Sequence, residues 1–357
     1  MSVLDGGVFP SAADDLTDLR NLVDDIGRRS FDSRIGRRSL PDTFDRTAWH
    51  HLEDTGLTCL ASAADSGGGP TELAVVLRSL ARHSVTVPLA ETDLLGGWLT
   101  SQAGVPVAPS EPLTVATGNA NVADGRITAT AVAVPYAADA ESVLLMLRDG
   151  ERRLVAAVRT DELSIRKGHN AGGEPRDTVA VDRPTEDFIA LDCAAETELT
   201  LRGAWARCVQ TIGALDAAVE FSVAHTRERH QFGRPLSAFQ TVQHTLAGMA
   251  GEVERGRAAT NLAVAAAADY GFHSPRTEYA VAVAKVALGR AVPTVVTAAH
   301  QLHGAIGVTI EHRLWLSTMR ARSWIDEFGV TACYATKLGR LTLAAEDPWD
   351  VVIGRSL

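Results

Sequence analysis

The sequence predicts a mostly helical α+β fold, in which a β segment separates two helical ones. Apolar residues recur every three or four positions near the amino terminus, at every second position in the middle, and every three or four positions again from residue 198 onward. The chain has 357 residues, which exceeds the usual size of a single hydrophobic core. We therefore predict an amino-terminal helical domain at 1–109, a middle β domain at 110–197 and a carboxy-terminal four-helix bundle at 198–357.

The amino-terminal domain is predicted from one strong helical pattern and a similar one at 72–82. The first pattern consists of Leu16, Leu19, Leu22, Val23 and Ile26. Residues three and four apart share one face of a helix, so both patterns indicate amphipathic helices. The glycine-rich run at 66–70 is predicted to be a turn. A phosphate-binding loop is disfavoured there, because no strand precedes the run and no Lys-Ser or Lys-Thr pair follows it.

The middle domain is predicted from alternation with a period of two. The alternating apolar residues form three sets: Ile127, Ala129, Ala131 and Ala133; Val143, Leu145 and Leu147; Leu154, Ala156 and Val158. Such sets indicate strands with one buried face. The pairs Asp124-Gly125 and Asp149-Gly150 lie between alternating runs, and the second is placed where a tight hairpin needs positive φ. A small antiparallel barrel or sandwich is expected.

The carboxy-terminal domain is predicted from two apolar stripes at helical spacing. One stripe consists of Trp205, Cys208, Ile212, Leu215, Val219 and Val223, and the next of Val242, Leu246, Met249 and Val253. These stripes suit a four-helix bundle. Pro293 lies inside a further helical run at 278–301, where the missing N–H is expected to kink or interrupt the helix.

Composition excludes several classes of function. A net charge of −10 provides no basic stripe for nucleic acid. No run of eighteen apolar residues and no secretory signal is found, so we expect a cytoplasmic protein that does not bind a membrane. The four cysteines lie far apart, and His300 and His303 have no convincing third ligand, so no metal site is predicted and a capping or core role for the histidines is favoured.

One set of residues points to chemistry. It comprises the run Arg-His-Gln-Phe-Gly at 229–233, the pair Phe239-Gln240 and the run Gln-Leu-His-Gly-Ala-Ile-Gly at 301–307. An arginine presents a planar fork of five donors that suits a pyrophosphate. Helix ends expose free N–H groups, and glycines allow a ligand to approach the backbone closely. We call segments 229–240 and 301–307 the dinucleotide grip. Without its flanking residues, Arg229 would be read as a solvated cation at a helix end.

These residues resemble a known family of flavoenzymes, the acyl-CoA dehydrogenases. The segment 226–244 is similar to the family's most recognisable block, and 49–57 followed by 66–70 resembles its amino-terminal signature. The resemblance implies the same helix, β, helix order, an acyl-CoA thioester as substrate and FAD as cofactor. It also implies that Arg229 reaches the FAD pyrophosphate of a neighbouring subunit. The residues assigned to FAD are Arg229, Phe232, Gln240, Gln301, His303, Gly304 and Ala305.

The family's catalytic carboxylate has no clear counterpart. The resemblance places Phe328 where many members carry this glutamate, and Gly203 at the alternative position. Glu327 lies one residue early, and on a helix that shift rotates a side chain by about 100°. The segments expected to meet the flavin ring are replaced by 111–115 and 133–136, and the helix arginine that often meets acyl-CoA falls at Ala204.

Three functions remain open from the sequence. The leading hypothesis is a β-type subunit of a heteromeric α2β2 acyl-CoA dehydrogenase, whose homologous partner supplies the base and which acts on bulky thioesters such as steroid side chains. The second is a self-sufficient homo-oligomer that uses Glu327 as its catalytic base. The third is a flavin-free scaffolding or binding relative.

Overall fold

The computed structural model describes residues 13–33, 40–62, 67–107, 111–310 and 312–352. The chain divides into two compact units, one formed by Met1–Arg38, Pro70–Val85 and Ala204–Leu357, and the other by Ser39–Gly69 and Thr86–Gly203. Each helical or β segment predicted from the sequence is found in order. The domain boundaries at 109 and 197 stay a prediction, and Ser66 of the predicted turn lies outside the described residues.

The amino-terminal region is helical, as predicted. Its elements are α1 (Ala13–Ser33), α2 (Arg46–Asp54), α3 (Pro70–Arg82), a π-helical segment (Ala90–Gly97) and α4 (Trp98–Ala103). Asp45 caps α2 by accepting a hydrogen bond from the Ala48 N–H at 3.0 Å. The apolar face of α3 is fully buried at Leu73, Val76 and Leu77.

The middle region contains two four-stranded sheets. The strands are β1 (Leu113–Asn119), β2 (Asn121–Ala123), β3 (Arg126–Pro135), β4 (Ser142–Asp149), β5 (Arg152–Arg159), β6 (Ser164–Arg166), β7 (Arg176–Pro184) and β8 (Ile189–Leu191). One sheet has the order β1-β4-β5-β8 and the other β2-β3-β7-β6. Their apolar faces form one core that includes Ile127, Val143, Leu145, Leu154 and Val179. This arrangement is the predicted sandwich.

Both predicted hairpin turns are present, but one strand pair differs from the prediction. Asp124-Gly125 joins β2 to β3, and Asp149-Gly150 joins β4 to β5. Gly150 has φ +57°, as a tight hairpin requires. The strands β1 and β4, however, pair in parallel. The two strands between them in sequence belong to the other sheet, so the chain leaves the first sheet and returns to it in the same direction.

The carboxy-terminal region is helical again. Its elements are α5 (Cys193–Glu228), the short strands β9 (His230–Gln231) and β10 (Arg234–Pro235), α6 (Gln240–Tyr270), α7 (Pro275–His303), α8 (Arg313–Asp326), α9 (Thr331–Ala344) and α10 (Pro348–Val352). The predicted α5 stripe is buried from Trp205 to Val219. In contrast, α9 buries none of its residues, and its Leu343 is 89% exposed.

The proline in α7 does not interrupt the helix, and the predicted kink stays a prediction. The helix runs from Pro275 to His303 through Pro293. Pro293 is exposed, and the carbonyl that loses its partner on the solvent side of a helix can bind water instead. Among the described residues, only the stretch Pro275–Val308 is long and apolar enough to cross a membrane, and most of it is buried, as in a core helix.

A buried ion-pair network ties three helices of the first unit together. Asp216 of α5 is 4% exposed. Its carboxylate accepts hydrogen bonds from Arg78 of α3 at 2.8 Å and from Arg257 of α6 at 2.7 Å. Because two guanidinium groups share one buried carboxylate, the register of these helices depends on a single aspartate.

Candidate functional site

The arginine of the dinucleotide grip lies at the start of a tight hairpin. After α5 ends, the Arg229 N–H donates to the His225 carbonyl at 2.9 Å. The strands β9 and β10 then pair across Phe232 and Gly233, which have φ values of +52° and +78°. Two consecutive left-handed residues match a type I′ turn. Arg229 is exposed and Phe232 is 90% exposed, so both side chains are available to a ligand or another subunit.

The start of α6 adds positive character to the same segment. No side chain caps the amino terminus of α6, and its first turn contains no acidic residue. Phe239 precedes the helix and makes an edge contact with Phe232, with ring centroids 6.1 Å apart. The Arg234 guanidinium lies 4.1 Å from the centroid of the Phe239 ring. A free helix amino terminus flanked by arginines suits a negatively charged group. Gln240, at the first position of α6, is exposed.

The second segment of the grip begins where α7 ends. Gln301, Gly304 and Ala305 are exposed. Gly304 has φ +64°, and a Cβ added there would meet nothing within 4 Å, so its backbone is open to a ligand. His303 differs from the other predicted cofactor residues: it is 6% exposed, and its Nδ1 lies 2.8 Å from the Ala299 carbonyl oxygen. Its ring is part of the protein interior.

A stack of histidine rings joins the end of α5, just before Arg229, to His303 at the end of α7. The rings of His225 and His303 are stacked with centroids 4.4 Å apart, and His312 meets His303 edge-on at 5.1 Å. Burial lowers the pKa of His303 to about 4. Burial, followed by the charge of Arg229, lowers the pKa of His225. Sequence reasoning missed His225 and His312, although His225 lies one helical turn before Arg229 and therefore on the same face.

The candidate base lies in a loop, and its carboxylate is in an ion pair. Helix α8 ends at Asp326, and Glu327 has an extended backbone with φ −70° and ψ 148°. The helical rotation argument therefore does not apply to Glu327. Its Oε2 accepts a hydrogen bond from Arg207 Nε at 2.6 Å. The Arg207 side chain is 2% exposed and that of Glu327 is 23% exposed.

Two side chains, buried Lys285 and half-buried Tyr334, fix the loop that carries Glu327. Lys285 Nζ donates to the carbonyls of Ile325 at 2.5 Å and Glu327 at 2.9 Å. The Tyr334 hydroxyl donates to the Phe328 carbonyl at 2.7 Å. Burial lowers the pKa of Lys285, which is fully buried and caps the carboxyl end of α8. The loop conformation is thus determined by contacts from α7 and α9.

The segments that replace the family's ring contacts are occupied by internal interactions. The Thr114 hydroxyl donates to the Pro135 carbonyl at 2.6 Å. Tyr136 is 2% exposed and packs against Phe44 at 6.4 Å between ring centroids. Ala133 and Tyr136 both have positive φ, and the pairing of β3 with β7 shifts register beside Ala133. Trp324 is also buried, so it packs the core as expected.

Comparison with known proteins finds relatives over most of the chain. Residues 195–325 match the model of the acyl-CoA dehydrogenase carboxy-terminal domain. The acyl-CoA dehydrogenase IpdE2 of Mycolicibacterium smegmatis is 26% identical over 303 residues, which cover 82% of this chain and 85% of that protein. The chain is thus similar to acyl-CoA dehydrogenases over most of its length. It is therefore related to oxidoreductases that act on acyl-CoA thioesters.

Solved acyl-CoA dehydrogenase structures share the fold across nearly the whole chain. A chain of the ChsE4-ChsE5 complex from Mycobacterium tuberculosis superposes with a TM-score of 0.81 at 20% identity, covering 95% of this chain and 100% of that one. The Tcur3481-Tcur3483 steroid acyl-CoA dehydrogenase gives a TM-score of 0.79 at 25% identity, with 93% and 98% coverage.

The acyl-CoA dehydrogenase family binds FAD. The residues of this chain suit the dinucleotide part of FAD better than its flavin ring. The dinucleotide grip offers the exposed donors of Arg229, Gln240 and Gln301 and the open backbone of Gly304. In the middle region, the polar atoms at Thr114 and Pro135 already bond each other. Within the described residues, no group of three or more His, Cys, Asp or Glu side chains could hold a metal ion.

Proposed function

We propose that this chain is one subunit of an FAD-dependent acyl-CoA dehydrogenase whose homologous partner subunit supplies the catalytic base. One observation carries the proposal. The Glu327 carboxylate is paired with buried Arg207, while Arg229, Gln240 and Gln301 of the grip are exposed and would be available to FAD. The sequence resemblance places Phe328, which is no base, at the position of the family's glutamate. The chemistry that FAD supplies in this family is acceptance of the β-hydride of an acyl thioester while a base removes the α-proton.

The grip would hold the adenine-dinucleotide part of a cofactor shared across a subunit interface. Arg229 would neutralise the pyrophosphate with charge-assisted hydrogen bonds, and the free N–H groups of α6 would add their dipoles. Gln240 and Gln301 would donate to the nucleotide, with Gly304 and Ala305 presenting backbone. The 90% exposure of Phe232 supports an interface there, because an apolar ring at the tip of a strained turn is otherwise unsatisfied.

Proton removal would fall to the partner. A base must be free to accept the α-proton, and the Glu327 carboxylate is held by Arg207 at 2.6 Å. Phe328 has no proton-accepting group, and Gly203 has no side chain. The geometry therefore supports a subunit that completes a cofactor site without performing the chemistry itself.

The relatives support a heteromer that acts on a bulky thioester. The ChsE4-ChsE5 structure is a complex of two proteins, and the Tcur3481-Tcur3483 enzyme is named as a steroid acyl-CoA dehydrogenase. We extend both features to this chain, as a cytoplasmic heterotetramer that desaturates a steroid-derived acyl-CoA between Cα and Cβ.

One observation favours a second candidate, a homo-oligomer that uses Glu327. Because Glu327 lies beyond the end of α8, no helical geometry directs it away from a substrate. A ligand that displaced the Arg207 contact would free its carboxylate. The two candidates differ in whether the chain alone turns over substrate.

The test is expression of the chain alone and together with a longer homologue that carries glutamate at the position of Phe328. We expect flavin absorbance and acyl-CoA-dependent dye reduction only from the purified complex. Full turnover by the chain alone would establish the homo-oligomer instead. A complex that forms but never contains flavin would favour a scaffolding role and reject the proposal.

A further inference from the structure

The histidine stack of His225, His303 and His312 spans the dinucleotide grip. It connects the end of α5, which carries Arg229, with the end of α7, which carries Gln301 and Gly304. Of the three, only His303 was expected to contact the cofactor, and its ring is buried. The stack therefore affects FAD binding through the position of the grip and not by direct contact with the cofactor.

His303 is held in one orientation by contacts on several sides. Its Nδ1 donates to the Ala299 carbonyl, and its Nε2 is buried without a hydrogen-bond partner. Gly307 packs against the base of the His303 side chain, because a Cβ at Gly307 would lie 2.7 Å from the His303 Cβ. His225 from α5 stacks on the His303 ring, and His312, which precedes α8, meets it in an edge contact. Moving the His303 ring would thus move both segments of the grip.

The stack requires uncharged rings. Burial and then the positive charge of Arg229 lower the pKa of His225, and the acidic Glu228 opposes the effect of Arg229. Burial and then the charge of Arg322 lower the pKa of His300. His225, His300 and His312 all act electrostatically on His303, so a proton on any of them disfavours a proton on its ring. The His312 Nδ1 accepts from the Leu314 N–H at 3.1 Å. The side chains that act electrostatically on His303 itself are all histidines, so none of them supplies a carboxylate to pair with a charged His303 ring.

We propose that His225, His303 and His312 are positioning residues, which hold the two segments of the grip at the spacing a dinucleotide needs only while the stack is uncharged. The inference rests on the proposed function, because it assigns the stack a role in retaining FAD. Protonation would open the stack, separate Arg229 from Gln301 and release the cofactor.

The direction in which pH shifts the stack between closed and open follows from the direction of the pKa change. A histidine whose pKa falls from 6.5 to about 4 on closing favours the closed stack above pH 6.5, and this preference is lost as pH falls toward 4. If release passes through the open state, the release rate follows the open population. We expect about tenfold faster FAD release at pH 5.5 than at pH 7.5 for each histidine that gains a proton on opening.

The first experiment needs no cofactor and uses the full chain with isotope-labelled histidines. NMR titration should show the His303 ring unchanged between pH 8 and pH 5. Assignment comes from the His303→Phe variant, which loses one signal. A His303 midpoint near the ordinary histidine value of about 6.5 would overturn the inference and leave the proposed function intact.

The second experiment measures FAD release from the purified complex by recovery of flavin fluorescence. The wild-type rate should rise at least about tenfold between pH 7.5 and 5.5, and the rise should be smaller in both His303→Phe and His225→Phe, which keep an aromatic ring without a titrating group. The His273→Phe control should behave as wild type. Equal pH dependence in all four proteins would refute the positioning role. Complexes that never bind FAD would refute the proposed function itself.

Discussion

The pair formed by Glu327 and Arg207 gives the sharpest prediction, because the two candidate functions require opposite results from one substitution. If Glu327 is a structural partner of Arg207, Glu327→Gln should lower stability and leave turnover of the complex unchanged. If Glu327 is the base, the same substitution should abolish turnover. Asp326→Asn is the matched control, since Asp326 is the exposed neighbouring residue and loses the same charge.

The expected loss of stability follows from the burial of both partners. Breaking a fully buried ion pair costs about 3–5 kcal/mol. The Glu327 side chain is 23% exposed, and Arg207 retains a hydrogen bond to Gln210 at 2.6 Å. The cost should therefore be smaller, at about 2 kcal/mol, and the melting temperature should fall by about 4–8 °C. Asp326→Asn should change stability by less than about 0.5 kcal/mol.

The assay combines thermal unfolding with acyl-CoA-dependent dye reduction by the purified complex. Loss of a general base typically lowers the rate by about 10²–10⁴-fold. A loss of that size in Glu327→Gln, with unfolding unchanged, would refute the assignment of Glu327 as a structural residue and restore the homo-oligomeric candidate.

Three further predictions concern other parts of the chain. Arg229→Met should weaken FAD binding by the complex about 10- to 100-fold, because charge-assisted hydrogen bonds are lost. The control variant, exposed Arg227→Met, should leave FAD binding unchanged. Equal effects of the two substitutions would show a general role of positive charge instead. Asp216→Asn should lower the free energy of unfolding in urea by about 3–5 kcal/mol, because buried Arg257 and half-buried Arg78 both lose the buried carboxylate that they share. Exposed Asp182→Asn should cost less than about 1 kcal/mol, and similar losses in the two variants would contradict the network. Lys285→Met should leave two loop carbonyls without a hydrogen-bond donor, which lowers the free energy of unfolding by about 1–3 kcal/mol for each carbonyl. Amide exchange around 325–328 should become faster. Unchanged exchange would show that the lysine does not fix the loop.

Local sequence patterns were sufficient for most of the fold. Periodicity predicted the helical and β regions in order, and both Asp-Gly pairs formed the expected hairpins. The parallel pairing of β1 and β4 was missed, because it depends on which sheet the intervening strands join. The sequence also left open whether Pro293 would kink or interrupt α7, because that depends on whether its face of the helix meets solvent, which the local pattern does not reveal.

The candidate site was predictable only in part. Residue types and spacing indicated the grip, and the structure stacks His303 of its second segment on His225, which lies one helical turn before Arg229. Nothing near either histidine in the sequence marks the other as its partner. Likewise, Arg207 and Glu327 meet across a separation of 120 residues. Such contacts are set by helix packing, which a single sequence does not encode in any local window.

The left-handed turn at Phe232 and the outward-facing helix α9 affect the fate of surplus protein. A copy without its partner would expose the side chains of Phe232 and Leu343 to the solvent. Chaperones and proteases recognise exposed hydrophobic side chains, so we expect unassembled copies to be short-lived. Supply of the other subunit would then set how much of this one accumulates, and the two would be matched in amount by selective turnover rather than by synthesis.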